Sequence, residues 1–577
     1  MQWKYNGYLN VMDAIEHKTG MAKDILSSEE YPLFFIQNVD LMASWICSYA
    51  QQNAPITVIG DFDCDGVCAT AGLYLLLREL GADNIRLRLP KRISEGYGFS
   101  EKIVDEITEG IVITVDNGIT ALPAIQKAKE KGLIVLVIDH HEPKIEGNSI
   151  VLPEADLIVD PHVPDRLICK GSLVTSTFNG YCGAGLVYKL AQCLIPNTDT
   201  LRKISAFAAI ATVADVVPLI WDNRNIYHEG IWNIRNRCIT PGLQCLVNIL
   251  QSNNIVTESD IGFKLAPMLN APGRLYDDGA SKALQTLIVG NYTAASMMVQ
   301  DLLEINELRK EKKEKAVERA MKIIQKNDLC SSNPIVICDP ETEEGIVGLV
   351  AGAVCEDFHA SAIVFTRTEH GLKGSARAAD YNNIKKSLDE FHELYPDILS
   401  KYGGHKGAAG LCIPETGFSV FQSEMQKIMG PQHPKQDVID YDLMINASDI
   451  QDVVADIRRF APFGEGNPPV TVRIHNFRTV PVGKENEFFT VMNKGAVKFA
   501  GTGCDAIAFD MADRFMQEGC PTCMDIVGTL GFRNYMGKTK VQVEVQDFIP
   551  LEIEDKKKSI QINQSIASIL GQLQLSL

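Results

Sequence analysis

Short apolar runs alternate with longer helical segments over residues 55–160. This alternation predicts a parallel β-sheet that is covered by helices. Four of the apolar runs end in an aspartate, and they span residues 56–61, 111–116, 133–139 and 157–160. The carboxyl ends of parallel strands meet at one edge of an open α/β sheet, where ligands bind. Several carboxylates are therefore expected to converge at that edge.

The rest of the chain carries three further patterns. Residues 292–325 contain no Gly or Pro and are rich in Leu, Glu, Lys and Arg, which predicts one long helix that connects two domains. Apolar runs at residues 334–338 and 362–365 predict strands of a second α/β domain that ends near residue 434. Residues 472–549 alternate short β-rich runs with turns, a pattern typical of a small barrel or sandwich.

Length and hydropathy favour a soluble protein of several domains. The chain has 577 residues, which is more than one hydrophobic core usually organises, and its hydrophobic share of 46% is enough for several cores. We expect three or four domains. No stretch approaches eighteen uninterrupted apolar residues, and the N-terminus lacks the apolar run of a signal peptide. A cytoplasmic protein with no membrane association is therefore expected.

The 15 cysteines are scattered through apolar surroundings, as at Cys182, Cys193 and Cys245, which favours reduced core residues over a disulfide framework. Cys520 and Cys523 have the spacing of metal ligands, but no second pair accompanies them. We predict no zinc site.

The formal net charge of -18 argues against a protein that simply coats nucleic acid, because phosphate contacts come from clustered Lys and Arg. The charge does not exclude a nuclease. An active site of carboxylates and divalent cations adds acidic residues, and a local basic groove can still hold DNA.

The acidic motif DFDCDG at residues 61–66 follows a predicted strand and precedes an apolar helix around residues 73–80. In an extended segment, Asp61, Asp63 and Asp65 would point to one side. Three carboxylates so close repel one another unless cations neutralise them. A solvated acidic turn is the alternative. A calcium loop of the EF-hand kind is disfavoured, because a strand precedes the motif and no Glu occupies its twelfth position.

A second motif, DHHE at residues 139–142, also follows a predicted strand. Neutral imidazole beside carboxylates suits Mn²⁺, and the lack of thiolates speaks against a zinc-finger type of site. Two adjacent histidines alone are usually solvated surface residues or packed core residues rather than metal ligands. Together with Asp116 and with Asp215, it forms a constellation that could bind metal. Asp215 follows an almost wholly apolar helix, where a charged carboxylate needs compensation.

These four motifs (DxDxDG, VDNG, DHH and TVADVVPL) closely resemble, in this order, the signature of the DHH phosphoesterase family. The resemblance implies a pair of Mn²⁺ or Mg²⁺ ions that hydrolyse a phosphodiester without a protein nucleophile. The ligands implied by the resemblance are Asp63, Asp65, Asp116, His140 and Asp215, with Asp116 as the bridge. Asp61, Asp139 and His141 would support or orient this ligand shell.

Three more segments resemble the RecJ exonucleases within that family, and the resemblance covers nearly the whole chain. They are PKRISEGYG at residues 90–98, LAPMLNAPGR at 265–274 and PFGEGNP at 462–468. The implied fold class is α/β, with a DHH domain built on a parallel sheet, a connector helix, a DHH-associated α/β domain and an OB-fold barrel. The expected boundaries are 1–45 for an N-terminal extension, 46–290 for the DHH domain, 291–328 for the connector, 329–435 for the DHH-associated domain, 436–552 for the OB-fold and 553–577 for a C-terminal tail.

The motif GGHKGAAG at residues 403–410 resembles the glycine-rich signature of the DHH-associated domain. Glycines let backbone N–H groups approach a phosphate closely, and His405 can donate to a phosphoryl oxygen. An ordinary turn is the alternative. The DNA- or phosphate-binding residues that the resemblance implies are Arg92, Tyr97, Asn270, Arg274, Ser375, Arg377, Gly404, His405 and Gly410. For Tyr97, stacking on a base competes with packing under a turn.

Some positions depart from the family pattern. Glu343 and Glu344 stand where Trp-His is common, Ala376 replaces a frequent Gly, and Pro272 replaces a frequent Ala. These changes concern substrate handling rather than the metal ligands. Eight Lys or Arg accompany three Glu over residues 309–326, which fits either a solvated connector or a stripe facing DNA.

The resemblance implies a 5′ to 3′ exonuclease that releases 5′-mononucleotides from single-stranded DNA in repair and recombination. A monomer is expected, with a helicase or a single-strand-binding protein as its partner. One alternative is a phosphodiesterase for short oligonucleotides, which would not need the barrel. Another is a replication scaffold that binds DNA without cutting it, against which the complete ligand set argues.

Overall fold

The computed structural model of the chain describes residues 2–26, 36–147, 149–163, 168–169, 172–173, 178–250, 256–432, 438–481, 488–492, 495–535 and 538–551. The first elements are β1 (Gln2–Tyr5), α1 (Val11–Thr19) and α2 (Ala22–Leu26). The side chain of Asn10 caps α1 by accepting from the backbone N–H of Asp13, and Gly20 ends this helix in the left-handed conformation.

The predicted parallel sheet is confirmed. Its elements and the short strands after it are α3 (Val39–Gln51), β2 (Ile56–Ile59), α4 (Cys64–Glu79), β3 (Ile85–Arg88), α5 (Glu101–Asp105), β4 (Ile111–Val115), α6 (Leu122–Glu130), β5 (Ile134–Ile138), β6 (Lys144–Glu146), β7 (Ser149–Val151), β8 (Leu157–Val159), β9 (Ile168–Cys169) and β10 (Ser172–Leu173). The sheet has the order β3-β2-β4-β5-β8, and all neighbours are parallel. Helices cover both faces, so the inner strands consist almost entirely of buried β-branched and other apolar residues.

A helical layer follows this sheet. It comprises α7 (Gly183–Leu194), α8 (Asp199–Ala214), α9 (Trp221–Arg235), α10 (Pro241–Ile249), α11 (Glu258–Asp260), a π-helix (Ile261–Leu265), α12 (Ala266–Leu275) and α13 (Ala280–Ile288). Helix α8 packs against α4, α7 and α9, and most of its residues are buried. The predicted apolar helix before Asp215 is thus α8.

The long helix predicted at residues 292–325 is confirmed as α14 (Tyr292–Lys326). It begins where the Asn291 side chain accepts from the backbone N–H of Ala294. One part of α14 packs against α10, α12 and α13, and another part contacts the helix Val347–Phe358 of the following unit. The helix therefore joins two separately packed units.

The second α/β unit comprises β11 (Ile335–Cys338), α15 (Val347–Phe358), β12 (Ala362–Thr368), β13 (Gly371–Arg377), α16 (Ile384–Leu394), β14 (Lys401–Gly404), β15 (Ala408–Ile413) and α17 (Phe418–Met429). Its sheet has the order β11-β12-β13-β15-β14. Strands β11 and β12 pair in parallel, and the other neighbours are antiparallel. Both strands that the sequence predicted here are present.

The C-terminal unit comprises β16 (Val438–Tyr441), β17 (Leu443–Asn446), α18 (Ile450–Phe460), β18 (Thr471–Arg478), β19 (Thr490–Val491), β20 (Val497–Ala500), β21 (Asp505–Ala508), α19 (Ala512–Gln517), β22 (Cys523–Tyr535) and β23 (Lys538–Pro550). Its seven-stranded sheet has the order β17-β18-β22-β23-β21-β20-β19. This is the region that the sequence predicted to be a small β-structure.

The N-terminal segment packs on this C-terminal sheet. Strand β1 pairs in parallel with β16, and the indole N–H of Trp3 donates to Asp547 at 2.7 Å. Val11 and Ile15 of α1 are buried in the same core as β18 and β22. The two ends of the described chain therefore fold as one unit.

Within the described ranges, no helix is long and apolar enough to cross a membrane. Cys520 and Cys523 are buried free thiols of the C-terminal unit.

Candidate metal and phosphate site

The acidic motif after β2 adopts a helix cap. Helix α4 begins at Cys64, so Asp63 and Asp65 lie at the start of a helix rather than in an extended segment. Asp63 is the N-cap, and its carboxylate accepts from the backbone N–H of Gly66 at 3.0 Å. A Cβ at Gly66 would lie 2.6 Å from the backbone nitrogen of Asp61, so only glycine lets the loop fold back this closely.

Asp65 lies in the first turn of α4 and is held by a second helix. The backbone N–H groups of Gly183 and Ala184, at the start of α7, donate to its two carboxylate oxygens at 2.6 and 2.8 Å. Free N–H groups at a helix N-terminus favour an anion. A Cβ at Gly183 would lie 2.6 Å from the Cβ of Asp116, so this glycine permits the close approach. Sequence reasoning missed this support.

The motif aspartates and histidines converge at the carboxyl end of the parallel sheet. Their ligand atoms form three groups, each with all atoms within 4.8 Å of one another, namely Asp116 with His140 and His141, Asp65 with His140 and Asp215, and Asp61 with Asp63 and Asp116. Asp116 follows β4 with a left-handed φ of 59°. His140 Nε2 lies 3.0 Å from Asp116 Oδ1. It also lies 3.6 Å from Asp65 Oδ2 and 3.6 Å from Asp215 Oδ2. We call these seven side chains the carboxylate cluster.

Asp139 supports the two histidines from behind. Its carboxylate pairs with His141 Nδ1 at 2.7 Å and accepts from the backbone N–H groups of Ile119 and His140. Burial alone would raise the pKa of Asp139, but the hydrogen bond and charge of His141 hold it below its usual value. The same contact outweighs burial at His141 and raises the pKa of that imidazole to about 9. The pair fixes the ring orientation, as expected for a supporting carboxylate.

Electrostatics in the carboxylate cluster are unfavourable without a cation. Burial and the neighbouring carboxylates raise the pKa of Asp61, Asp63 and Asp116, and they raise that of Asp215 to about 8. One buried oxygen of Asp61 has no hydrogen-bond partner in the described part of the chain. Oxygen and imidazole donors in this arrangement fit Mn²⁺ or Mg²⁺, whose charge would remove the repulsion.

This repulsion gives a pH-dependent stability in the metal-free protein. The pKa of Asp215 is 3.8 in the unfolded chain and about 8 in the folded protein. Such a carboxyl stabilises the fold fully when the pH is below 3.8, and this contribution is lost as the pH rises toward about 8. We expect Asp215→Asn to melt at the same temperature as the parent near pH 4. The variant should become progressively more stable than the parent between pH 5 and 8. Thermal melts in EDTA measure this difference, and a constant difference across pH would contradict the coupling.

A second cluster, of cations, borders the carboxylates. It contains Arg92 from the loop after β3, Arg274 at the end of α12, Arg309 on α14, and Lys373 and Arg377 on β13. Burial lowers the pKa of Arg274 to about 9, helped by the charges of Arg92, Arg309 and Arg377, while Asp63 acts in the opposite sense. Burial likewise lowers the pKa of Arg92, against the charges of Asp61 and Asp63. We call these five residues the cation cluster.

The cation cluster is drawn from both α/β units. The Arg274 guanidinium lies 3.4 Å from the carbonyl oxygen of Gly345, just before α15. A Cβ at Gly348, in the first turn of α15, would lie 3.0 Å from Ser375 Oγ and 3.4 Å from an Arg377 nitrogen. Guanidinium groups, a hydroxyl and a helix N-terminus are donors that bind phosphate. A cluster of partly buried cations beside a candidate metal site therefore favours a phosphate ligand.

The glycine-rich motif forms the β14–β15 hairpin. Ser375 pairs with Gly410 and Arg377 pairs with Ala408, so the motif lies beside the β13 residues predicted to bind phosphate. Gly404 has a φ of 146°, and a Cβ there would lie 2.3 Å from the Ala408 carbonyl oxygen. His405 is exposed at the hairpin turn. Among the described contacts, none joins His405 to the carboxylate cluster.

Sequence profiles match the three units in order. The DHH family, N-terminal domain, matches residues 55–214, the DHHA1 domain matches residues 332–430, and the RecJ OB domain matches residues 441–547.

Full-length relatives decide the family. The single-stranded-DNA-specific exonuclease RecJ of Salmonella typhimurium is 30% identical over 547 residues, which cover 89% of this chain and 91% of that protein. The chain belongs to the RecJ family. The RecJ of Bacillus subtilis is also 30% identical, over 535 residues that cover 90% of this chain and 64% of that one. The crystal structure of RecJ in complex with Mn²⁺ from Thermus thermophilus shares the fold, with a TM-score of 0.76 at 23% identity over 96% of this chain and 80% of that one.

The remaining RecJ-family positions named from the sequence lie near these clusters. The Tyr97 hydroxyl donates to the Asp116 carbonyl oxygen at 3.2 Å and lies 3.1 Å from His141 Nε2, so its hydroxyl end packs against the carboxylate cluster. Its ring is half exposed. Arg92 lies over the ring of Phe62 at 4.5 Å. Asn270 belongs to α12, and its buried side-chain oxygen lacks a described hydrogen-bond partner.

The residues that depart from the RecJ pattern lie at defined positions of the structure. Glu344 forms an ion pair with Lys373 of the cation cluster, and Glu343 forms one with Lys312 of α14. Pro272 lies inside α12, and Ala376 is buried in β13. Sequence reasoning missed Lys373, because an isolated Lys usually indicates a solvated surface, and it placed Arg309 only in a charged segment that fits either a solvated connector or a stripe facing DNA.

Proposed function

We propose that this RecJ-family chain is a divalent-metal-dependent exonuclease that degrades single-stranded DNA from its 5′ end and releases 5′-mononucleotides. The observation that carries the proposal is the direct juxtaposition of the carboxylate cluster with the partly buried cation cluster, in which Glu344 pairs with Lys373 alone. The first has the donor set for two Mn²⁺ or Mg²⁺ ions, and the second has the donors for the phosphate of a nucleic-acid strand. The 5′ polarity and the mononucleotide product rest on the resemblance to the RecJ relatives.

Five residues of the carboxylate cluster are the proposed ligands, namely Asp63, Asp65, Asp116, His140 and Asp215, with Asp116 between the two groups of donors. Two bound ions would supply an activated water and neutralise the negative charge that develops on the phosphoryl and leaving oxygens. Asp139 holds His141 in place, and the N–H groups of Gly183 and Ala184 hold Asp65. The carboxylates are thereby fixed before substrate arrives, which is what an organised metal site requires.

The cation cluster orients the strand. Arg92 and Arg274 lie close enough to Asp63 for their charges to affect each other, so a phosphate bound by these guanidiniums would reach the carboxylate cluster. No protein nucleophile is needed. A hydrogen bond with Cys68, together with burial, raises the pKa of the Cys64 thiol far above its usual value, which makes it a poor nucleophile.

The direct test uses purified full-length protein, Mn²⁺, and single and double strands labelled at the 5′ or the 3′ end. Release of labelled mononucleotide from the 5′ end of single strands supports the proposal. Preference for oligomers of two to five nucleotides would instead support the oligonucleotide phosphodiesterase. Binding without hydrolysis in Mn²⁺ and in Mg²⁺ would support the scaffold.

His405→Ala is expected to lower kcat about a hundredfold, because the glycine-rich hairpin is proposed to donate to substrate phosphate. The affinity for Mn²⁺ should stay within about twofold of the parent in titration calorimetry, because His405 lies in the second unit. The matched control is His370→Ala, which changes another exposed histidine of the same unit and should retain the parent activity. Loss of Mn²⁺ affinity in His405→Ala would contradict this division of roles.

The proposal extends to the cellular setting. A cytoplasmic monomer that takes single strands from a helicase or shares them with a single-strand-binding protein fits a processive exonuclease. Light scattering on the purified protein, with and without a single strand, tests the monomer.

A further inference from the structure

We propose that Phe263 is a base-stacking residue on the path of the single strand between the C-terminal sheet and the carboxylate cluster. This inference rests on the proposed function and adds a binding site that neither metals nor phosphate contacts require. It follows from the position of one exposed aromatic ring on a helix face that leads to the cation cluster.

The helical run from the π-helix through α12 presents a narrow exposed stripe. Phe263 is 83% exposed, and Pro267, Asn270 and Arg274 are partly exposed, whereas most residues between them are buried. Pro267, Asn270 and Arg274 are three and four residues apart and share one face of α12, and Phe263 precedes them by one turn in the π-helix. At a rise of no more than about 1.5 Å per residue, Phe263 lies within about 16 Å of Arg274 along the helical run. A strand held at Arg274 that follows the stripe would reach Phe263.

Gly262, the residue before Phe263, lies beside the end of α8, directly before Asp215. The π-helix packs against α8, and a Cβ at Gly262 would lie 3.9 Å from Val213 Cγ1. Val216, directly after Asp215, has a left-handed φ of 57° and is 67% exposed. A β-branched residue in this conformation is strained, and such strain is retained at functional sites. An exposed apolar surface therefore borders the candidate metal site.

Contacts on the far side continue to the C-terminal unit. The backbone N–H of Leu219 donates to the carbonyl oxygen of Glu465 at 2.8 Å, and the N–H of Phe463 donates to the carboxylate of Glu258 at 3.2 Å. Glu258 begins the helical run that contains Phe263. The helical run that contains Phe263 thus touches the unit that matches an OB domain at its start and packs against α8, the helix before Asp215, further along.

The occupant that fits this position is an unpaired base. A single exposed phenylalanine on a surface needs no explanation by itself. Here the ring stands on a stripe with Asn270, whose side-chain oxygen is buried without a partner among the described residues, and with Arg274 of the cation cluster. Aromatic rings beside a cationic path bind successive bases by stacking, without sequence preference.

The test compares Phe263→Ala with the parent on a single strand of about 30 nucleotides, in Mn²⁺, and on a strand of the same length with abasic sites near the 5′ end. Phe263→Ala should raise KM on the normal strand by about 5- to 150-fold, which corresponds to the roughly 1–3 kcal/mol of one stacked base. On the abasic strand the two proteins should differ by less than about twofold. The dependence of KM on salt should be unchanged, because no phosphate contact is lost.

Two variants complete the experiment. Phe263→Trp should retain the parent KM, and its fluorescence should be quenched when a strand binds. Tyr292→Ala, which removes an exposed aromatic at the start of α14, should behave as the parent. An unchanged KM in Phe263→Ala, or an equal loss on both strands, would overturn the stacking role. A parent protein that hydrolyses neither strand would overturn the proposed function instead. Thermal melts confirm that the variants are folded.

Discussion

Asp116→Asn is expected to abolish hydrolysis and to stabilise the metal-free protein. The carboxylate lies between two groups of candidate ligands, so its loss should lower kcat by at least about a thousandfold. The side-chain oxygen of asparagine can still accept from His140 Nε2, so the local contact survives. Burial and four neighbouring aspartates raise the pKa of Asp116, and a neutral amide removes that repulsion. The metal-free melting temperature should rise by roughly 2–4 °C for each kcal/mol relieved.

Activity assays and thermal melts in EDTA and in Mn²⁺ measure the two effects together. The added stability from Mn²⁺ should be large in the parent and small in the variant, because the variant has lost a ligand. Asp83→Asn, which breaks a surface ion pair with Arg78, is the control and should change neither quantity appreciably. Activity within tenfold of the parent would contradict the assignment of Asp116 as a ligand. A lower metal-free melting temperature would contradict the repulsion.

The positions of Asp61, Asp116 and Asp139 could be predicted from the sequence because each follows a strand that is buried on both faces. Such strands are uninterrupted apolar runs, and a charge directly after one is easily recognised. The helix α14 was equally clear, because 35 residues without Gly or Pro leave no other regular structure. In these cases local sequence and tertiary structure agree.

Contacts between distant parts of the chain could not be predicted. The segment Gln2–Tyr5 pairs with Val438–Tyr441 of β16, although it has only four residues and only Trp3 among them is partly buried. Nothing local in the sequence indicates this partner. The consequence is practical, because deleting the chain after residue 434 would uncover Val11 and Ile15. Point variants therefore test the role of the C-terminal unit more cleanly than truncation.

The hydrogen bonds from α7 to Asp65 also depend on a contact between distant parts of the chain, so they could not be predicted either. Gly183 and Ala184 lie more than a hundred residues from Asp65, and their N–H groups become donors only when the helix is packed against α4. Arg309 resembles the other cations of a charged helix in the sequence. Its burial depends on where α12 and β13 lie, which is set by tertiary packing rather than by its neighbours in the chain.

Arg274→Gln is expected to lower kcat/KM on single-stranded DNA about a hundredfold or more, because truncating one partner of a buried charged contact costs about 2–5 kcal/mol. The affinity for Mn²⁺ should change little, because Arg274 belongs to the cation cluster and is not a candidate ligand. Without substrate, Arg274 is a partly buried charge beside Arg92, Arg309 and Arg377, so its removal should also raise the melting temperature of the protein in a buffer free of phosphate.

Inorganic phosphate separates a specific anion site from a general loss of positive charge. Phosphate should raise the melting temperature of the parent and raise that of Arg274→Gln much less, because binding to the folded state alone stabilises it. Arg367→Gln removes a charge of the second α/β unit that pairs with Glu415 at the surface, and it should keep both the phosphate response and the activity of the parent. If Arg367→Gln loses as much as Arg274→Gln, net charge rather than a built site governs binding. An unchanged phosphate response in Arg274→Gln would contradict the role of the cation cluster, because burial of this excess charge would then serve no ligand.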